Sequence, residues 1–168
     1  AQGRPIEWLQ ADMRVLEDVP TTDAVTLFSD SLCYLTDFED VVSVFEAVYD
    51  HLEEGGIFLF DVHSLYQMQE VFPGYQYHFV EDDFAFLWQS YELDEPGSVE
   101  HVIDMYIKQE DGNLYEHFQE VHEEQTFPIE MYEAALEMVG FTNIKVKADF
   151  GQREVQETSP RWFFQAVK

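Results

Sequence analysis

The sequence predicts an α/β fold: a largely parallel sheet flanked by helices, with an antiparallel β-sheet inserted into it. Three observations lead there. Residues 22–64 read as strand, loop, capped amphipathic helix, Gly-Gly and strand, which is one βαβ unit. From Tyr75 to Phe127 the period drops to two, the signature of antiparallel strands. After Pro128 a helical period returns, followed by two strand-like runs.

Composition sets limits first. The chain has 168 residues, 46% of them hydrophobic, enough for one domain with a real core. No apolar run is long enough for a membrane helix, and the first ten residues lack the apolar segment of a signal peptide. The single cysteine, Cys33, has no internal partner for a disulfide. These features give the expectation of a cytoplasmic protein. Acidic residues number 35 against 8 basic ones, and Val15 to Ile107 contains no Lys or Arg. Such a surface repels phosphate backbones and anionic lipid, so neither nucleic acid nor membrane is an expected partner. The acids are scattered along the chain, which reads as solvation more than as one binding block.

In order, Ile6–Gln10 is a short apolar strand candidate ending at Ala11-Asp12-Met13. Val25–Phe28 reads as a strand buried on both faces, with Ser29-Asp30-Ser31 as its loop. Thr36 and Glu39 form a capping-box pattern, so a helix is expected from Asp37 to the Gly55-Gly56 stop. Ile57–Val62 is the next strand, with Asp61, His63 and Ser64 at its exit. Carboxyl ends of strands are where open α/β sheets bind ligands. Residues 66–72 suit a short helix. Tyr75–Phe127 suits three or four strands with a turn at Asp111-Gly112, either a lid over a pocket or a packing surface. Pro128 suits the first turn of a helix closed by Gly140, and 141–150 and 161–168 suit an antiparallel edge hairpin.

Four stretches carry a family resemblance. They are IEWLQADM, TDAVTLFSDSLCYL, HLEEGGIFLFDV and EEQTFPIEMYEAALEMVGF. In this order and spacing they resemble the class I S-adenosylmethionine-dependent methyltransferases of the small-molecule type. The resemblance implies the C-terminal part of a Rossmann-like methyltransferase sheet, with domains at 1–65, 66–127 (the inserted sheet) and 128–168. It implies S-adenosylmethionine as cofactor and methyl transfer to nitrogen or oxygen of a small molecule. That family's Gly-rich loop and the acidic residue ending its second strand are not among these residues. The chain is therefore expected to be part of a longer protein, and not to bind the cofactor in the usual way by itself. The alternative is a non-enzymatic acidic interaction module on a degenerate methyltransferase fold. A nicotinamide-binding oxidoreductase lacks its Gly-x-Gly-x-x-Gly.

By the resemblance, Asp12 would accept from the adenine amino group and Met13 would flank the ring, with Ser29, Ser31 and Tyr34 near the methionine end. Position and intrinsic pKa make His63 the candidate general base. Asp61 could bind a cationic acceptor or be buried with a partner. Tyr66, Trp88, His122 and Glu123 are candidate pocket-lining groups, and the inserted sheet is a candidate homodimer surface. The six histidines show no metal-ligand spacing, so no metal is expected.

Overall fold

In the computed structural model, residues 6–16, 19–110 and 114–168 are described. β1 (Thr22–Leu27) and β2 (Leu52–His63) run parallel, joined by α1 (Phe38–His51). Asp37 caps the helix: its carboxylate accepts from the Glu39 N–H at 3.0 Å. Thr36, the expected cap, sits one residue too early, because the neighbouring Asp is an equally good cap. The helix also stops earlier than expected, at His51, because Leu52 is buried and already pairs with Thr22. Gly55, at φ 77°, and Gly56 form a bend within β2 instead. There they exchange backbone hydrogen bonds with Lys168 at the end of the last strand.

The chain then passes through a π-helix, Gln67–Val71, whose start is tied by the Ser64 hydroxyl accepting from the Gln67 N–H. It enters a separate antiparallel sheet of β3 (Gln76–Val80), β4 (Phe84–Glu92), β5 (Ser98–Lys108) and β6 (Tyr115–Gln125), in that spatial order. The Asp111-Gly112 turn lies outside the described residues. α2 (Ile129–Val139) follows Pro128, which precedes the helix in extended backbone instead of occupying its first turn. Gly140 closes α2 at φ 119°, where an added Cβ would lie 3.0 Å from the Tyr49 hydroxyl. β7 (Thr142–Lys147) and β8 (Arg161–Val167) complete the first sheet, in the order β1-β2-β8-β7. β8 is antiparallel to both neighbours, as expected of a terminal hairpin.

α1 and α2 cover one face of that sheet. Val41, Phe45 and Val48 from α1 and Tyr132 and Leu136 from α2 pack on Phe58, Phe60 and Val62 of β2 and Phe164 of β8. Phe60 and Phe164 stack at 4.5 Å with their planes 4° apart. The opposite face carries Ile57, Leu59 and Phe163, and is open enough to leave Phe28 and Phe150 exposed. Thus Val25–Phe28 is covered on one face only, where Val25 and Leu27 are half-buried against the core while Thr26 and Phe28 are exposed, against the expectation of burial on two. Ile6–Gln10 forms no strand: it is exposed and pairs with none of the described strands. No helix among them is long and apolar enough to cross a membrane.

Candidate functional site

The site begins where β1 stops. Ser29 and Asp30 both adopt left-handed backbone, at φ 62° and 53°. Non-glycine residues in that region cost about 1 kcal/mol or more each. The Ser31 hydroxyl donates to the Phe28 carbonyl at 2.8 Å and helps close the turn. This turn folds Asp30 back over the ends of β2 and β8. One Asp30 oxygen lies 2.7 Å from His63 Nε2, and the other accepts from Arg161 Nη1 at 3.0 Å. His63 and Arg161 are direct partners in the β2–β8 register. Arg161 also donates to Asp61, so one guanidinium joins two carboxylates.

The antiparallel sheet supplies the other wall. Glu124, on β6, is buried, with Oε2 3.7 Å from His63 Nε2 and Oε1 4.0 Å from His101 Nε2. His101 Nδ1 meets the Ser90 hydroxyl at 2.7 Å. Phe72 stands edge-on between the two imidazoles, 5.0 Å from His63 and 4.7 Å from His101. The Thr126 hydroxyl donates to the His63 carbonyl at 2.7 Å, fastening the end of β6 to β2.

Burial and charge act in opposite directions here. Burial raises Asp30, but the His63 hydrogen bond and the charges of His63 and Arg161 outweigh it and hold its pKa at about 2. Burial, helped by the Asp30 charge, pushes Glu124 up to about 7. Burial, then the charges of His63 and His122, lowers His101 to about 4, so its imidazole is neutral. Among the described residues five buried polar side-chain atoms lack a partner: Asp61 Oδ1, His63 Nδ1, Trp88 Nε1, Ser98 Oγ and Glu124 Oε2.

Two cavities meet at this cluster. One, of about 270 Å³, lies between the sheets and is lined by Asp30, Tyr34, His63, Trp88, His122 and Glu124, among others. The second, of about 380 Å³, opens on the uncovered sheet face and is lined by Phe28, Ser29, Asp30, Asp61, Arg161 and Phe163, together with Phe150. Asp30 and Arg161 form the wall they share. A larger cavity, about 680 Å³, runs along the β7–β8 loop and reaches the cluster only at Arg161.

Of the residues predicted from sequence, the structure brings together His63, Asp61, Ser29, Tyr34, Trp88 and His122 around these cavities. Ser31 builds the turn and lines neither one. Tyr66 precedes the π-helix and also lines neither. Glu123 is exposed on the other side of β6, and Glu124 holds the inward position. Asp12 is exposed and gripped by Arg14, whose Nη2 lies at 2.7 Å. Arg14 reaches on to Asp40 of α1 at 2.7 Å. Those Arg14 hydrogen bonds hold the Asp12 pKa at about 2. Met13 packs against the main core. Sequence reasoning missed Asp30, His101, Arg161 and Glu124. Glu124 was within reach, because it shares strand parity with His122. Asp30, His63 and Glu124 also place ligand-type atoms within 4.8 Å of one another. The three come from distant segments, so no local spacing could signal that grouping.

No family model matches the chain. It is 38% identical over 168 residues to a protein of Geobacillus sp. (strain WCH70) named, without a stated substrate, as a methyltransferase. The match covers all of this chain and 68% of that one. Among solved structures it resembles an S-adenosylmethionine-dependent methyltransferase from Clostridium acetobutylicum ATCC 824, with 27% identity and a TM-score of 0.82. That match covers 94% of this chain and 62% of the other, so the chain spans less than two thirds of that structure. The sugar N-methyltransferase KedS8 from Streptoalloteichus sp ATCC 53650 shares the fold at 24% identity and a TM-score of 0.73, over 95% of this chain and 61% of its own.

Proposed function

The chain belongs to the S-adenosylmethionine-dependent methyltransferases, and on that premise we propose that the full-length protein methylates a nitrogen or oxygen of a small molecule. The observation carrying this reading is the pair of cavities divided by Asp30 and Arg161 at the carboxyl ends of β1 and β2. The cavity on the open sheet face fits the methionine end of the cofactor. Its wall holds Asp61 Oδ1, a buried acceptor without a donor, which a cationic group would satisfy. Ser29 lies in the same wall. When bound, the cofactor supplies an electrophilic methyl group on a sulfonium.

The cavity between the sheets is the acceptor site in this proposal. His63 is held by Asp30 so that its imidazole faces Glu124, and the pair can hold a proton at Nε2. Trp88 and Tyr34 exclude water and give the acceptor a surface to orient on. Residues 66–127 act as a lid over this cavity, and residues 1–65 and 128–168 form the core beneath it. The exposed apolar side chains Val80 and Val121, on the lid face away from Glu124, support pairing with a second copy there. Asp12 is proposed to contact the adenine, which requires it to share its carboxylate with Arg14.

Calorimetry with S-adenosylmethionine tests the reading. The full-length protein is expected to bind, the isolated 168 residues are not, and Asp12→Ala is expected to weaken binding. In the full-length protein His63→Asn is expected to lower S-adenosylhomocysteine release about a hundredfold at unchanged cofactor affinity. Absence of binding by the full-length protein would refute the methyltransferase reading.

A further inference from the structure

We infer that the acceptor is an amine entering as its ammonium ion, and that Glu124 is the group that takes its proton. This rests on the methyl-transfer reading above and names its substrate class. The argument begins with charge. Three carboxylates, Asp30, Asp61 and Glu124, surround a single guanidinium, and Arg161 is already committed to the first two. His101 adds no charge, since burial keeps it neutral near pH 7. Asp30 also has His63 Nε2 at 2.7 Å, so Glu124 is the one carboxylate of the three with no hydrogen-bonded cationic side chain among the described residues, and its charge attracts a cation and disfavours a phenolate, carboxylate or phosphate.

Geometry then singles out Glu124. Its Oε2 is buried, has no donor, and lines the cavity. An ammonium N–H placed there satisfies that orphan acceptor. Tyr34 and Trp88 offer aromatic rings around the same space, suited to a cation. Asp30 does not have this freedom, because both its oxygens are held by His63 and Arg161. The groups facing Glu124 are Asp30 and Tyr34 from the β1–α1 connection, His63 from β2, His101 from β5, His122 from β6 and Arg161 from β8. Burial and then the Asp30 charge raise Glu124 to about 7, against the lowering by Arg161 and Tyr34, and there a carboxylate is basic enough to accept a proton and acidic enough to release it.

The chemistry requires such a group. An ammonium nitrogen has no lone pair to attack a methyl group. One N–H bond breaks, its proton goes to Glu124 Oε2, and the electron pair stays on nitrogen. That pair forms the new N–C bond while the C–S bond of the sulfonium donor breaks, with its electrons passing to sulfur. The products are the N-methylated ammonium, a neutral thioether and protonated Glu124, which returns its proton to solvent. A cavity of about 270 Å³ suits a small amine or the amine-bearing end of a larger molecule.

The test uses the full-length protein and three probes of equal size: propylammonium, propanol and propionate. Binding is followed by ligand-observed NMR and S-adenosylmethionine affinity by calorimetry. Propylammonium is expected to bind at least tenfold more tightly than either other probe at pH 8, and to weaken as pH falls through about 7. Glu124→Gln is expected to weaken propylammonium roughly ten- to a hundredfold while leaving S-adenosylmethionine affinity unchanged. The pH dependence of the wild-type protein stands as a test even where the variant fails to fold. Equal binding of propanol or propionate, binding flat across pH 6–8, or a folded Glu124→Gln that binds propylammonium normally would overturn the proposal. In those cases intact S-adenosylmethionine binding leaves the methyl-transfer reading standing, whereas loss of that binding in the wild-type protein removes both.

Discussion

The two sheets bury different things. The β1-β2-β8-β7 sheet buries Phe58, Phe60, Phe164 and Ala166 beneath two helices, an apolar core of ordinary kind. The β3–β6 sheet has a small apolar cluster of Met68, Phe72 and Val99 with Trp88 against it. Its other buried residues are Ser90, Ser98, His101 and Glu124. Val80 and Val121 on its opposite face are exposed, as are Ile107 and Phe118 on the His101 face beyond the cluster. Hydrophobic burial in the first sheet supplies stability. Burial in the second is largely of polar groups, gathered where it meets His63 and Asp30, and it tunes proton affinity more than it stabilises the fold.

That contrast can be broken experimentally. Phe164→Ala in the first sheet removes the ring stacked on Phe60 and packed against Tyr132, and is expected to cost about 3–5 kcal/mol. Phe118→Ala in the second sheet is expected to change stability by less than about 0.5 kcal/mol. Urea unfolding of both variants checks the pair, and equal losses would erase the distinction.

The next effect is in pH. His101 falls from an ordinary value of 6.5 to about 4, so from pH 4 to 6.5 the unfolded chain binds the extra proton and stability rises with pH. Glu124 rises from 4.5 to about 7, so from pH 4.5 to 7 the folded chain holds the extra proton and stability falls with pH. The two slopes oppose each other over pH 4.5–6.5. Each is worth up to about 3 kcal/mol. Glu124→Gln is expected to leave a rising profile and His101→Phe a falling one, read by urea unfolding at pH 4.5, 5.5 and 6.5. Parallel profiles in the two variants would mean the site does not balance in this way. The smallest effect concerns the cap of α1. Asp37→Ala is expected to cost about 1 kcal/mol and Thr36→Ala close to nothing, measured by thermal unfolding.

The elements were largely legible because each is written in local periodicity. The apolar stripe from Phe38 to Val48, the alternation of β5 and the Gly140 stop are patterns a few residues long. The errors were also local. Thr36 and Asp37 are both good caps, and only the backbone at Asp37 decides between them. Ile6–Gln10 has a strand's composition, but a strand also needs a partner, and this stretch pairs with none of the described strands. The site was legible where a residue closes a strand, as with His63 and Asp61. It was illegible where four segments converge. Asp30, His63, Glu124 and Arg161 are joined by a left-handed turn, a register and a neighbouring sheet, and none of these is encoded beside the residues themselves.

The π-helix makes chain length a variable of the site. A π turn is an α turn carrying one residue too many, closed here by the Phe72 N–H donating to the Gln67 carbonyl. Removing one residue from 67–71 would restore the α ladder and swing everything after it by about 100° about the helix axis. Phe72 would leave its place between His63 and His101, and the two imidazoles would lose the ring that separates them. What this segment must conserve is therefore a number of peptide bonds more than any side chain along it. A single-codon deletion there would be far more disruptive than a substitution at an exposed position such as Gln69 or Glu70.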